Sequence, residues 1–207
     1  MMHIQGETND HRQAMPRSET SLFREQLTEA KARLVTAVLS SKSCYVQGDN
    51  APLRYRLLTN TALQLAELNQ AVAYFDLTAL AYEHDLETWV QNSIRLLTIQ
   101  LNLPMPNGRW WEDRQNRDPI EYFVQFLDER VLQRVKQPIL LSFDEADVLL
   151  EAPLAEAFFR LLHAIKPVQL SPSNFDALSV VLWGKTAWQN LVEDGRFPTD
   201  LLKLIVL

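Results

Sequence analysis

At 207 residues, with 47% hydrophobic and 22% charged side chains, the chain can bury one substantial core and has the composition of a folded globular protein. Twenty basic residues against 26 acidic ones give a net charge of −6, which leaves no basic footprint for tracking a nucleic-acid backbone, so nucleic acid is not a favoured partner. The single cysteine, Cys44, excludes an intrachain disulfide and fits a reducing compartment. No apolar run approaches the roughly 18 residues that a membrane-spanning helix needs, so a cytoplasmic protein with no membrane partner is expected.

Residues 1–20 are polar, carry Gly6, Asn9, Asp10 and Pro16, and cannot offset their own ordering entropy. They are expected to form a flexible tail ahead of a single domain over residues 21–207. From 21 to 40, Leu22, Phe23, Leu27, Ala30, Leu34, Ala37 and Val38 trace the stripe of an amphipathic helix. Cys44-Tyr45-Val46 reads as a short buried strand, with Cys44 a small buried residue rather than a reactive thiol. The turn residues Gly48, Asp49, Asn50 and Pro52 end it before a helical pattern through Leu53, Leu57, Leu58, Ala62 and Leu65. Residues 71–77 form a second strand, and Leu86, Trp89, Val90, Leu97 and Leu101 give the next helix its apolar face. A loop spans 102–117. Asp118-Pro119-Ile120-Glu121 then supplies an N-cap, a first-turn proline and an acidic third residue for a helix to about 136. Pro138 opens the strand Ile139-Leu140-Leu141-Ser142-Phe143, a helix covers 155–165, and a loop with Pro167, Ser171, Pro172 and Ser173 leads to a strand over 177–183. Residues 201–207 offer a fifth. Continuous apolar strands alternating with amphipathic helices predict an α/β fold with a mostly parallel sheet covered on both faces.

The strand at 139–143 runs straight into Asp144-Glu145. Ligands in such folds sit beyond the carboxyl ends of the strands, where one carboxylate can hold magnesium and its neighbour can orient an attacking water. Gly48 lies at a second such end. Taken with Asp76-Leu77-Thr78, Trp110-Trp111-Glu112, Phe143-Asp144-Glu145-Ala146-Asp147 and Leu182-Trp183-Gly184-Lys185-Thr186, this arrangement resembles the AAA-like ATPase domain common in cyanobacterial signalling proteins. That family belongs to the P-loop NTPase class with the AAA+ and STAND ATPases. The resemblance covers roughly residues 22–200. It implies a three-layer, five-stranded sheet in the order 5-1-4-3-2, with Asp144 as magnesium ligand and Glu145 as catalytic base. Asp144-Glu145-Ala146-Asp147 also spells a helicase signature, which is discounted because a helicase needs two such domains and a working phosphate loop.

On the Walker A pattern G-x-x-x-x-G-K-[ST], Gly48 matches the first glycine, Leu53 stands for the second, Arg54 for the lysine and Tyr55 for the hydroxyl residue. Three of the four functional positions have changed. A non-glycine residue forced to positive φ at Leu53 costs about 1–2 kcal/mol, and a planar guanidinium does not replace a compact ammonium. Gly48, Arg54, Tyr55 and Thr186 are the candidate nucleotide contacts, with Mg and ATP as cofactors only if the site works. Against these, Arg54 reads better as a solvent-facing residue of the first helical turn, and Thr186 reads equally as a phosphate sensor or a helix N-cap. Glu145, Asp147 and Glu151 form an unpaired acidic rim, and Trp110 and Trp111 are packing anchors. His84 and His163 lack metal-ligand spacing.

The favoured function is a non-catalytic or weakly active module of this family that works through a protein partner, with oligomer formation left open. The alternatives are a slow Mg-ATP-dependent switch using Asp144 and Glu145, and a truncated accessory subunit of a larger assembly.

Overall fold

The computed structural model describes residues 19–113, 117–165 and 174–207. The expected tail, apart from its last two residues, and the Pro167–Ser173 loop lie outside these. Five strands, β1 (Cys44–Gln47), β2 (Ala71–Asp76), β3 (Ile139–Asp144), β4 (Leu178–Gly184) and β5 (Lys203–Val206), form one sheet in the order β2-β3-β4-β1-β5. All four pairings are parallel. This is the 5-1-4-3-2 order that the sequence implied.

Period-two alternation divides the strand residues between two cores. Cys44, Val46, Leu140, Val181, Trp183 and Ile205 face helices α1 (Glu19–Leu39) and α2 (Ala51–Glu67). Tyr45, Phe75, Leu141, Phe143, Val180 and Leu182 face the opposite layer. That layer contains α3 (Leu86–Gln100), α4 (Gly108–Glu112), α5 (Pro119–Phe126) and α6 (Ala155–Ala164). The seventh helix, α7 (Trp188–Asp194), follows β4. Within the sheet, the indole N–H of Trp183 donates to Ser142 Oγ at 2.8 Å, which satisfies two buried polar groups at once.

Two expectations need correction. The segment 102–117 is not all loop, because Asn107 accepts a hydrogen bond from the Trp110 amide at 3.0 Å and caps α4. Trp110 is buried there and packs edge-on to Trp111, Tyr122 and Phe126. Second, the helix begun by Asp118, whose carboxylate accepts from the Ile120 amide at 2.8 Å, is α-helical only to Phe126. It continues as a π-helix over Leu127–Leu132, a wider turn that buries Leu127 and Val131. No helix among the described residues is long and apolar enough to cross a membrane.

Candidate functional site

The site lies at the carboxyl ends of β1, β3 and β4. The end of β1 is held on both sides. Gly48 N donates to Gly184 O at 2.9 Å, and Leu207 N donates to Gln47 O at 2.9 Å. A Cβ on Gly48 would come within 2.8 Å of Leu207 Cδ1, so the Leu207 side chain stands against the glycine.

After Gly48 the chain does not wrap around an open cradle. Asn50, in extended backbone, accepts from the Leu53 amide at 3.0 Å and starts α2 at Ala51, with Pro52 in the first turn. Ala51 is the third of the four residues that separate the glycines in the G-x-x-x-x-G-K-[ST] pattern. The helix therefore takes up half of the segment that would curl round a phosphate. Three of its first-turn positions offer no free donor: Pro52 has none, Leu53 serves the cap, and Arg54 N donates to Asn50 O at 3.0 Å. Leu53 is not at positive φ, so the strain expected there is avoided by entering the helix early.

Arg54 is 3% exposed, which overturns the expectation of a solvent-facing residue. Its guanidinium spans the gap between β1 and β3. Nη1 donates to Gly48 O at 2.7 Å and Nη2 to Glu145 Oε1 at 2.6 Å. Nε lies 3.9 Å from Asp144 Oδ1, too far for a hydrogen bond, and is buried without a hydrogen-bond partner among the described residues. The cation thus pairs with Glu145 and lies close to Asp144, offsetting one of the two carboxylate charges from within the protein. Glu145 is not part of an unpaired rim.

Asp144 is further engaged. Its Oδ1 accepts from Glu145 N at 2.9 Å, and Tyr74 OH donates to Oδ2 at 3.2 Å. Burial, reinforced by the Asp144 charge, pushes the Tyr74 phenol well above its ordinary pKa. Glu145 adopts left-handed backbone at φ 55° and ψ 42°, which for a non-glycine residue stores strain and re-aims its side chain.

Asp147, two residues on, clasps the end of β4. Its carboxylate accepts from Lys185 N at 2.9 Å and from Thr186 N at 2.6 Å. Tyr45 OH donates to Thr186 O at 3.0 Å, and a Cβ on Gly184 would reach within 2.5 Å of that hydroxyl, so only glycine fits. Asp147 was read from sequence as a rim charge; it is a buttress. Thr186 is not the N-cap of α7, a place taken by Ala187 without any side-chain bond. Its backbone, not its hydroxyl, supplies these contacts.

The structure therefore brings Gly48, Arg54, Asp144 and Glu145 together. Tyr55 is 64% exposed and has no hydrogen bond to them among the described residues. As arranged, the donor set does not fit magnesium. The small hydroxyl is replaced by this outward phenol, both Asp144 oxygens have protein partners, and a guanidinium sits beside them. No group of three or more His, Cys, Asp or Glu among the described residues could hold a metal ion.

The functional residues missed in sequence are Asn50 and Tyr74. Asn50 carried a readable signal, a capping residue followed two positions later by proline, the same logic as Asp118-Pro119. Tyr74 carried none, since its partner is 70 residues away.

No protein-family model matches the chain. It is 24% identical over 184 residues to an uncharacterised WD repeat-containing protein of Synechocystis sp., a match covering 86% of this chain and 15% of that protein. The chain thus spans about one-seventh of that relative's length. Among solved structures it is similar to the Aeropyrum pernix ORC1 protein in complex with DNA, with a TM-score of 0.52, 13% identity, and coverage of 86% of this chain and 44% of that one. Drosophila ORC bound to DNA gives a TM-score of 0.53 at 11% identity, covering 90% and 93%. The Aeropyrum pernix ORC2 protein in its ADPNP–ADP complexes gives 0.52 at 14%, covering 93% and 48%. These likenesses show that the chain shares the α/β fold of these proteins. They lend no support to the expectation that nucleic acid is not a favoured partner, since two of these three neighbours are described in complex with or bound to DNA.

Proposed function

We propose that residues 21–207 act as a non-catalytic AAA-like module that works through protein contacts, with Arg54 serving as a permanent internal cation where a family member would hold metal and nucleotide. The observation that carries this reading is the buried guanidinium bridging Gly48 O and Glu145 Oε1 at 2.7 and 2.6 Å. Entry of a triphosphate requires that bridge to open and the α2 cap at Asn50 to be undone. Opening the bridge leaves Asp144 and Glu145 facing the incoming phosphates without a cation. A relative whose name records WD repeats, units that build propellers rather than α/β domains, also supports a role as one module within larger architectures.

One observation favours the slow Mg-ATP switch instead: Glu145 keeps a strained backbone at the position where a catalytic base would be aimed. Thermal unfolding with and without magnesium and ATP separates the two. A ligand at 100 times its Kd stabilises by about 2.7 kcal/mol, which for a chain of this size raises Tm by roughly 5–10 °C. The proposal expects no shift at millimolar ATP. A shift that disappears in Asp144→Ala would establish the switch.

A further inference from the structure

The two edges of the sheet are finished differently. On β2, the Gln100 side chain of α3 behaves as a surrogate strand: Oε1 accepts from Tyr74 N and Nε2 donates to Tyr74 O, both at 2.7 Å. That edge is closed at its centre. At β5, the amides of Lys203 and of Leu207, just past its end, donate inward to Ser43 O, just ahead of β1, and to Gln47 O, each at 2.9 Å. Strand alternation therefore turns the backbone groups of Leu204 and Val206 outward. The contact to this outer row is Arg33 Nη2 on Leu204 O at 3.5 Å, long for a hydrogen bond.

Beside this edge lies a groove of about 260 Å³ between α1 and the start of β5. It is lined by small residues of α1, the buried Ala37 and the exposed Ala32, Thr36 and Ser40, and its cations are Arg33, Lys42 and Lys203. None of its lining residues is acidic. Asp200 lines an adjoining cavity that shares the two lysines. Three cations at one place are unusual in a chain of net charge −6. They also sit close together, since all three act on the Cys44 thiol at the start of β1.

An open strand edge offers hydrogen bonds to any extended backbone, and the flanking side chains decide which one is accepted. Here the flanking side chains are positive and small residues of α1 line the groove. We infer that the β5 edge and the α1 groove form a docking site for an extended acidic protein segment, which adds as a sixth strand beside Leu204 and Val206 with its carboxylates against Arg33, Lys42 and Lys203. This rests on reading the chain as a protein-interaction module and names the chemistry of its partner. Val206, 51% exposed, supplies the apolar contact at the far end of the strand. The four residues of β5 span roughly 13 Å, so four or five residues of the partner pair with it. The groups used are distinct from the Arg54 site.

The test uses the full chain and a fluorescein-labelled octapeptide of alternating valine and glutamate, read by anisotropy and by amide hydrogen exchange. Saturable binding is expected, with exchange at Leu204 and Val206 slowed about tenfold at saturation. The charge-reversed pair Arg33→Glu with Lys203→Glu, both on the surface, should weaken binding by about tenfold or more, as should replacing the peptide's glutamates by lysines. N-methylating alternate peptide amides should abolish the protection. Absence of saturable binding to about 1 mM peptide, a Kd above the weak end of the affinity scale, overturns the inference. So does binding that leaves Leu204 and Val206 exchange unchanged, equal binding of the lysine peptide, or protection of the same amides by a single-stranded oligonucleotide in place of the peptide. ATP stabilisation in the same samples bears only on the proposed function. Peptide protection together with an ATP shift would retain this site and reject the closed nucleotide site, and the reverse pattern would do the opposite.

Discussion

The segments that follow β1 and β3 face each other across the site and differ in what they keep. At the end of β3, Asp144 and Glu145 form an acidic pair, with a left-handed backbone at Glu145. At the end of β1, the segment that the Walker A pattern would make a phosphate loop is helical from Ala51. Asn50 caps α2, Pro52 fills the first turn, and positive φ occurs at none of the residues 48–55. The difference follows from what each segment has to satisfy. Without glycines, a loop that must present free amides is costly and collapses to the nearest hydrogen-bonded alternative. A pair of carboxylates at a strand end needs only a cation, and Arg54 provides it.

Removing that cation should have the largest effect. Arg54→Met keeps most of the side-chain volume but leaves Glu145, and Asp144 beside it, without their buried counter-charge. Breaking such a pair from one side costs about 3–5 kcal/mol, and because Glu145 is partly exposed the lower end is expected. Chemical denaturation measures it. The triple variant Arg54→Met, Asp144→Asn, Glu145→Gln removes all the charges and should recover most of the loss. If Arg54→Met alone costs under 1 kcal/mol, the two segments are not coupled through this cation and the comparison fails.

The alkaline limb of the stability curve probes the β3 side more gently. Tyr74 is held above the ordinary phenol value near 10 by burial and by Asp144. Its proton is bound more tightly in the folded state, so the stabilisation is complete below pH 10 and is lost as pH rises from there towards the folded-state value. Tyr74→Phe should therefore flatten the fall in stability above pH 10, by less than the full 1.4 kcal/mol per pH unit because the phenol is partly solvated. Urea denaturation at pH 9, 10 and 11 gives the slope. An unchanged slope would place Tyr74 outside the Asp144 network. Cys44, pushed up to about 11 by burial, titrates on the same limb and remains intact in both proteins.

The sequence made legible what depends on local pattern. Four strands were placed within a residue or two, the fifth was offered at 201–207, and the Asp118 cap was read residue by residue. The sheet order came from the resemblance, and the pairings agree with it. What stayed hidden depends on contacts across the chain. The Arg54–Glu145 pair spans 91 residues, so nothing near Arg54 distinguishes a buried cation from a surface one. Asp147 looked like a rim charge because its partners are backbone amides 38 and 39 residues on, which carry no sequence signature. The early start of α2 is the exception: Asn50 and Pro52 announce it locally as a cap and a first-turn proline, but read as turn residues closing β1 they place the helix start at Leu53.

The smallest predicted effect separates retained geometry from retained charge at one residue. Glycine at 145 relieves the left-handed backbone, whose cost for a side-chain-bearing residue is about 1–2 kcal/mol, against a loss of unfolded-state restriction of about 0.5–1 kcal/mol. In the native background Glu145→Gly also deletes the partner of Arg54 Nη2, so the net change should be destabilising. In an Arg54→Met background that partner is already gone, and the same substitution should stabilise by about 0.5–1 kcal/mol, augmented by removal of an unpaired charge. The sign reversal, read from paired urea curves, is the diagnostic. If Glu145→Gly destabilises equally in both backgrounds, the carboxylate contributes through contacts other than Arg54. If it stabilises in both, the ion pair is worth less than the strain it accompanies, and the β3 end is held by the Tyr74–Asp144 hydrogen bond and the clasp between Asp147 and the β4 end.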